Sequence, residues 1–379
     1  MDVYLDNAAS TKVDDEVIKA MQPFFSDKFG NASSLHQYGN EAKEALEESR
    51  ALIAKKLNAE PREIIFTSGG TESNNFALKG VAFANKDRGR HIITSKIEHD
   101  CVISSCKWLE KQGFTVTYLP VDKYGRVSPD DVAGAIRKDT IITSVMHANN
   151  EIGTIEPIEE IAKICREKNV YFHTDACQSL TKVPLDAKKF DLVTINSHKI
   201  HGPKGVGALY IKNGTKIDAL MHGGGHEFNM RSGTENVAGI VGFAKAASQM
   251  KEEHINHMAN LRDRMIDGVL NRISDVQLNG PRDKRLCNNA NIAFHYIEGE
   301  SIMTYLDMDG IAVSTGSACS SKSLEPSHVL LAIGLKHEIA HGSLRISFSK
   351  YNTKEEVNYT LDKLEESVKK LREISPLTR

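Results

Sequence analysis

The sequence predicts an α/β fold: a large domain on a mostly parallel sheet, with a smaller α+β domain beside it. Two observations carry this. Between Glu63 and Lys199, short runs rich in Ile, Val, Phe and Thr alternate with longer stretches of helical periodicity, and such alternation means parallel strands joined by crossover helices. After Asp275 the pattern changes to strand-like runs, Val276 to Asn279, Asn291 to Tyr296 and Leu344 to Phe348, with helices at about 300–309 and 351–373. The division this suggests is residues 15–255 for the large domain, and 1–14 with 256–379 for the small one.

In chain order, Val3-Tyr4-Leu5 reads as a short strand running into a polar turn, and Asp14 as the cap of a helix to about residue 25. A loop rich in Asn and Ser leads to a helix over about 38–57. Strand 63–67 breaks at Ser68-Gly69-Gly70-Thr71 and gives way to a helix ending near residue 84. Strand, glycine turn and helix start form an anion-binding arrangement, because free N–H groups and the positive end of the helix dipole meet there. The run matches neither a Walker A loop nor G-x-G-x-x-G, and taken alone a single such turn reads more readily as a plain strand-to-helix connection. Strands at 91–95, 115–119, 140–146 and 170–175 follow, with helices at 103–112, 128–137 and 157–168 between them. A strand at 190–195 delivers Asn196-Ser197-His198-Lys199, and a single helical region is expected from about 234 to 270.

The chain has 379 residues, 40% hydrophobic and 26% charged, with a net charge of −2. These values fit a globular protein with a sizeable core, and the balanced charge gives no electrostatic case for nucleic acid or an anionic membrane. No apolar run is long enough to span a bilayer, and the start has neither the basic residues nor the apolar core of a signal peptide. A cytoplasmic location is the expectation. The cysteines at 101, 106, 165, 177, 287 and 319 never form C-x-x-C, so neither a disulfide framework nor a zinc site is implied. His222 and His226 are separated by three glycines, which forbid the regular helix that would set both rings on one face.

In a parallel sheet, ligands bind beyond the carboxyl ends of the strands. Gly70, Thr71, His99, Asn150, Asp175, Gln178, His198 and Lys199 all follow a predicted strand, which places them on one rim. A lysine held at a strand end, one connection after a strand-end carboxylate, is the pair that pyridoxal phosphate needs: a Schiff-base amine, and an acid that keeps the pyridine nitrogen protonated. Taken singly, Lys199 also reads as a surface lysine and Asp175 as a helix cap. Cys319 lies in Gly316-Ser317-Ala318-Cys319-Ser320-Ser321, a run with few apolar anchors, which favours an accessible and reactive thiol. Cys101, Cys106 and Cys177 read as packing residues.

The motifs resemble those of the group I cysteine desulfurases, members of the fold-type I, class V aminotransferase-like pyridoxal phosphate enzymes. The resemblance covers nearly the whole chain and rests on Tyr4-Leu5-Asp6-Asn7-Ala8-Ala9, Thr67-Ser68-Gly69-Gly70-Thr71-Glu72-Ser73-Asn74-Asn75, His147-Ala148-Asn149-Asn150-Glu151-Ile152-Gly153, Asp175-Ala176-Cys177-Gln178, His198-Lys199, Arg231-Ser232-Gly233-Thr234-Glu235-Asn236 and Gly316-Ser317-Ala318-Cys319. It implies that Lys199 binds the cofactor and Asp175 pairs with its ring nitrogen. His99 would stack on the ring, and Asn150 and Gln178 would face its phenolic oxygen. Gly70, Thr71 and His198, with Thr234 from a second subunit, would hold the phosphate, Arg345 the substrate carboxylate, and Cys319 would take the sulfur. Asn196 stands where the family's phosphate cup usually has serine; an amide can donate there too. The resemblance also implies a homodimer acting on L-cysteine and a sulfur-acceptor protein such as an iron–sulfur scaffold. An aminotransferase or a selenocysteine lyase would keep Lys199 and Asp175 without needing Cys319, and a scaffold protein could keep the fold alone.

Overall fold

The computed structural model describes residues 1–316 and 326–376. At its centre is a seven-stranded sheet in the order Ile64–Thr67, Gly207–Ile211, Leu192–Asn196, Tyr171–Asp175, Thr140–Ser144, His91–Ser95, Thr115–Leu119. From Leu192–Asn196 onward the neighbours are parallel, whereas Gly207–Ile211 runs antiparallel to both strands beside it. That strand was not predicted, because Gly205-Val206-Gly207 reads as the close of a turn. Gly207 serves instead as a point of close approach: a Cβ there would lie 2.7 Å from the Ile195 carbonyl oxygen and 2.8 Å from the Gly69 Cα.

Alternate side chains of each strand go to opposite faces. Phe66, Ile93, Phe172 and Val193 join Leu46, Ile53 and Phe243 in one buried cluster, while Ile65, Ile92, Ile142 and Leu192 join Phe76, Val102 and Leu109 in another. With helices over both faces, every strand but the edge one, Thr115–Leu119, is buried along nearly its whole length, which is why they read as apolar runs. The helical region expected over 234–270 is two helices, Val237–Gln249 and Glu252–Arg272, separated at the extended Met250. The first predicted helix is also split, into Asp15–Met21 and Pro23–Ser26. Asp14 makes no side-chain cap there; its carboxylate is taken by Lys350, at 2.5 Å, and by the Tyr351 hydroxyl.

The second body is an antiparallel sheet of Val276–Leu278, Asn289–Phe294 and Ser343–Ser347, covered by Glu252–Arg272, Gly299–Met308 and Lys354–Ile374. It has its own buried cluster, which includes Val3 and Leu5. The strand Val3–Tyr4 pairs with Ile311–Ala312, and Asp6 bridges to Ser347. The chain's beginning is thus built into the body formed by its end.

Beside the sheet edge, the guanidinium of Arg50 lies 4.9 Å from the ring centroids of both Phe66 and Phe228. Two 2.8 Å bonds join it to Glu227, whose carboxylate also accepts from the Phe66 N–H at 2.7 Å. Glu227, Phe228 and Asn229 have φ of 47°, 59° and 66°, a left-handed run that side chains disfavour, so the pair fastens a strained turn. Arg50→Met would leave the buried carboxylate without its cation, at an expected cost of about 3–5 kcal/mol. Urea unfolding should show this as a lower midpoint with unchanged slope; a loss below about 1 kcal/mol would show that the pair does not hold the turn.

Candidate active site

The rim predicted from strand ends is one cavity. Gly70, Thr71, His99, Asn150, Asp175, Asn196, His198, Lys199 and Arg345 all line it. Gln178 is not in that lining: its amide donates to the Ala8 carbonyl at 3.0 Å and supports the wall from behind. Thr234 is exposed outside the cavity, and Cys319 lies outside the described residues. Residues not anticipated are Ala8 and Ala9 from the N-terminal segment, Asn74 and the thiol of Cys101; Cys177, expected near the rim as a packing residue, lines the cavity too. Asn74 stands in the polar helix Gly70–Asn75, Gly-Thr-Glu-Ser-Asn-Asn, where nothing in the sequence sets it apart from its neighbours; no spacing pointed to Cys101.

Asp175 ends its strand fully inside the protein. Burial alone would raise its pKa, but the Cys177 N–H at 2.9 Å and the Asn74 amide at 2.6 Å hold it below the ordinary carboxylate range. One oxygen accepts from the following turn and the other from Asn74, with the carboxylate at the cavity wall. Lys199 sits half-buried in the turn after its strand, and Lys182 fixes that turn by donating to the carbonyls of Gln178 and Lys199 at 2.9 and 3.2 Å.

Gly69, with φ of 152°, leads into the helix that begins at Gly70, where a Cβ would fall 2.6 Å from the Cys177 sulfur. Only glycine leaves that space open beside the free N–H groups of the helix start. His198, opposite, is driven down to about 4 by burial and by the cations of Lys199, Lys204 and Lys182, so it is neutral at pH 7. Asn196 lies 3.3 Å from it, and its buried side-chain oxygen has no hydrogen-bond partner among the described residues.

Arg345 comes from the antiparallel sheet. It donates to Asp6 at 2.8 Å and to the Asn150 carbonyl at 3.3 Å, while its buried Nε has no hydrogen-bond partner among the described residues. Such a guanidinium, held from two sides, suits a carboxylate ligand. Pyridoxal phosphate fits this residue set: an ionised carboxylate for a protonated ring nitrogen, an imidazole to lie against the ring, a lysine, and a glycine-opened helix start for the phosphate. Among the described residues no group of three or more His, Cys, Asp or Glu could hold a metal ion.

The family model for class-V aminotransferases matches residues 3–360. The chain is 58% identical to the cysteine desulfurase IscS of Dictyoglomus turgidum, over 99% of this chain and 96% of that protein. It is 55% identical to the cysteine desulfurase IscS of Methanosarcina thermophila, over 99% and 94%. Among solved structures, a NifS-like protein superposes with a TM-score of 0.92 at 42% identity, covering 98% of this chain and all of that one. SspA in complex with cysteine superposes with a TM-score of 0.84 at 38% identity, covering 93% and 100%.

Proposed function

This chain belongs to the class-V aminotransferase family and is a pyridoxal-phosphate-dependent cysteine desulfurase; from that premise we propose which residue performs each task as L-cysteine becomes L-alanine. The observation that carries the assignment is the convergence of Lys199, Asp175, His99 and Arg345 on one cavity. Bound there, the cofactor supplies an electron sink for charge developing at the substrate Cα.

Arg345 binds the substrate carboxylate through the edge not used by Asp6 and the Asn150 carbonyl. Lys199 would hold the cofactor, and its free amine takes the Cα proton. Asp175 would keep the cofactor's ring nitrogen protonated, and His99 would lie against the ring. Gly70, Thr71, His198 and the Asn196 amide hold the phosphate. Cys319, as thiolate, attacks the substrate sulfur: an S–S bond forms, the Cβ–S bond breaks, and its electron pair returns to the substrate carbon, which is protonated to give alanine. The described residues flanking 317–325 support this role for Cys319. Gly316 and Ser327 both sit against the Glu151 carboxyl, next to Asn150, and the backbone of Ser314 pairs with that of Arg345.

The persulfide is then passed to an acceptor protein such as an iron–sulfur scaffold, in the cytoplasm. The active form is a homodimer in which Thr234, exposed on each subunit, reaches the phosphate of the other. The two-body division at 15–255 and 1–14 with 256–379 is supported by separate buried clusters. Sedimentation of the holoenzyme should give a dimer down to the lowest assay concentrations; an active monomer would remove Thr234 from the site.

The test of function compares cysteine, selenocysteine and keto acids on the purified holoenzyme. Alanine formed from cysteine, one per sulfur transferred, is expected; turnover confined to keto acids or to selenocysteine would overturn the reading. Asp175→Asn should keep KM for cysteine while kcat drops by roughly 10²-fold or more, since a neutral amide no longer holds the ring nitrogen protonated. An unchanged kcat would remove Asp175 from its role.

A further inference from the structure

A continuous hydrogen-bonded chain joins Asp175 to His99 through two residues that the proposed function leaves unused. The Asn74 amide nitrogen lies 2.6 Å from Asp175 Oδ2 and 3.1 Å from Cys101 Sγ, and Cys101 Sγ lies 3.0 Å from His99 Nδ1. The direction of each bond is forced. Asp175 is ionised and only accepts, so the Asn74 atom facing it is the NH₂ group. His99 precedes the helix Asp100–Lys111 as its cap, and its Nδ1 accepts from the Cys101 backbone N–H at 3.2 Å. A nitrogen that accepts there carries no proton, so the thiol between Asn74 and His99 accepts from the amide and donates S–H to Nδ1. The thiol has the protonation this requires: burial and the charge of Asp175 push it up to about 12. The imidazole is held neutral by burial and by the nearby Lys199 cation.

We propose that Cys101, with Asn74, is a positioning residue that fixes His99 as the Nε2–H tautomer and so presents a proton donor to the cavity. Resting on the placement of His99 against the cofactor, the inference divides the proton work that the reaction needs. His99 enters the cycle already carrying its proton on Nε2 and has no basic nitrogen free to take one, so removal of the Cα proton falls to Lys199. The Nε2–H is left as a fixed hydrogen-bond donor toward the substrate side of the cavity, orienting the substrate without giving up its proton. Asn74 adds the link to Asp175, so the carboxylate under the ring nitrogen and the imidazole against the ring are set by one amide group.

The experiment is nitrogen-15 magnetic resonance of ring-labelled histidine in the cofactor-loaded protein, with the His99 signals assigned by their absence in His99→Asn. The expected result is a protonated Nε2 and an unprotonated Nδ1 displaced toward the hydrogen-bonded range. In Cys101→Val the Nδ1 signal should move toward the free-imine position, and kcat should fall about five- to tenfold, the worth of one buried hydrogen bond, with KM for cysteine changed less than about twofold. Cys101→Ser, which restores an O–H donor, should recover most of both. A proton on Nδ1 in the unaltered enzyme overturns the proposal, as does a Cys101→Val protein with unchanged Nδ1 signal and kcat. A His99 signal indifferent to cofactor binding counts instead against the placement of His99 beside the ring.

Discussion

Lys199→Ala is expected to lose cysteine turnover completely, by roughly 10⁴-fold or more, and to lose the visible absorbance of covalently held cofactor. The reason is positional. Of the lysines near the site, Lys199 is the one that lines the cavity. Lys182 is buried with its ammonium engaged by the carbonyls of Gln178 and Lys199, and Lys204 is exposed beyond Pro203. Among the described residues no neighbouring amine is free to take over, so the loss should not be rescued by added cofactor. Borohydride reduction of the unaltered enzyme followed by peptide mass spectrometry should find the cofactor on Lys199, and label on Lys182 or Lys204 would defeat the assignment.

Cys319→Ser should retain cofactor absorbance and bind cysteine, yet form no protein persulfide and release alanine at least about 10³-fold more slowly, because a hydroxyl is far less ionised than a thiol near neutral pH. The other thiols are poor substitutes. Cys106, Cys165 and Cys287 are buried away from the cavity. Cys101 and Cys177 line it, but burial and the charge of Asp175 raise both, Cys101 to about 12, which leaves almost no thiolate to attack sulfur. Mass spectrometry after cysteine treatment should therefore place the added sulfur on Cys319. Finding it on Cys101 or Cys177, or normal turnover in the Cys319→Ser protein, would move the selenocysteine lyase or aminotransferase reading ahead.

What the sequence revealed of this site follows a physical line. Groups that stand immediately after a strand, such as Asp175, His198 and Lys199, were legible because the topology of a parallel sheet sends every strand end to the same side. Groups that reach the cavity from elsewhere left no local pattern. Ala8 and Ala9 arrive along a segment whose pairing partners are hundreds of residues away, and Cys101 enters from the first turn of a helix, where its spacing is that of a packing residue. The strand Gly207–Ile211 was hidden for a related reason. Its first residue is glycine because two backbones approach there, and glycine in a sequence reads first as a turn. Asp14 was correctly placed before a helix, but its side chain went to Lys350 and Tyr351, a choice that only tertiary structure makes.

The pairing of the chain's first residues with its last body also sets an order of events during synthesis. The seven-stranded sheet is complete in sequence by Ile211, so it can form while the ribosome is still at work. Asp6, however, must wait for Arg345, 339 residues later, and Val3–Tyr4 for Ile311–Ala312. At roughly 5–20 residues per second, the interval between the emergence of the sheet and of Arg345 is on the order of ten seconds. Through that interval residues 3–6 lack their pairing partners and the substrate's carboxylate anchor does not yet exist, so the nascent chain can gather its phosphate-binding and lysine-bearing turns before it is able to engage cysteine.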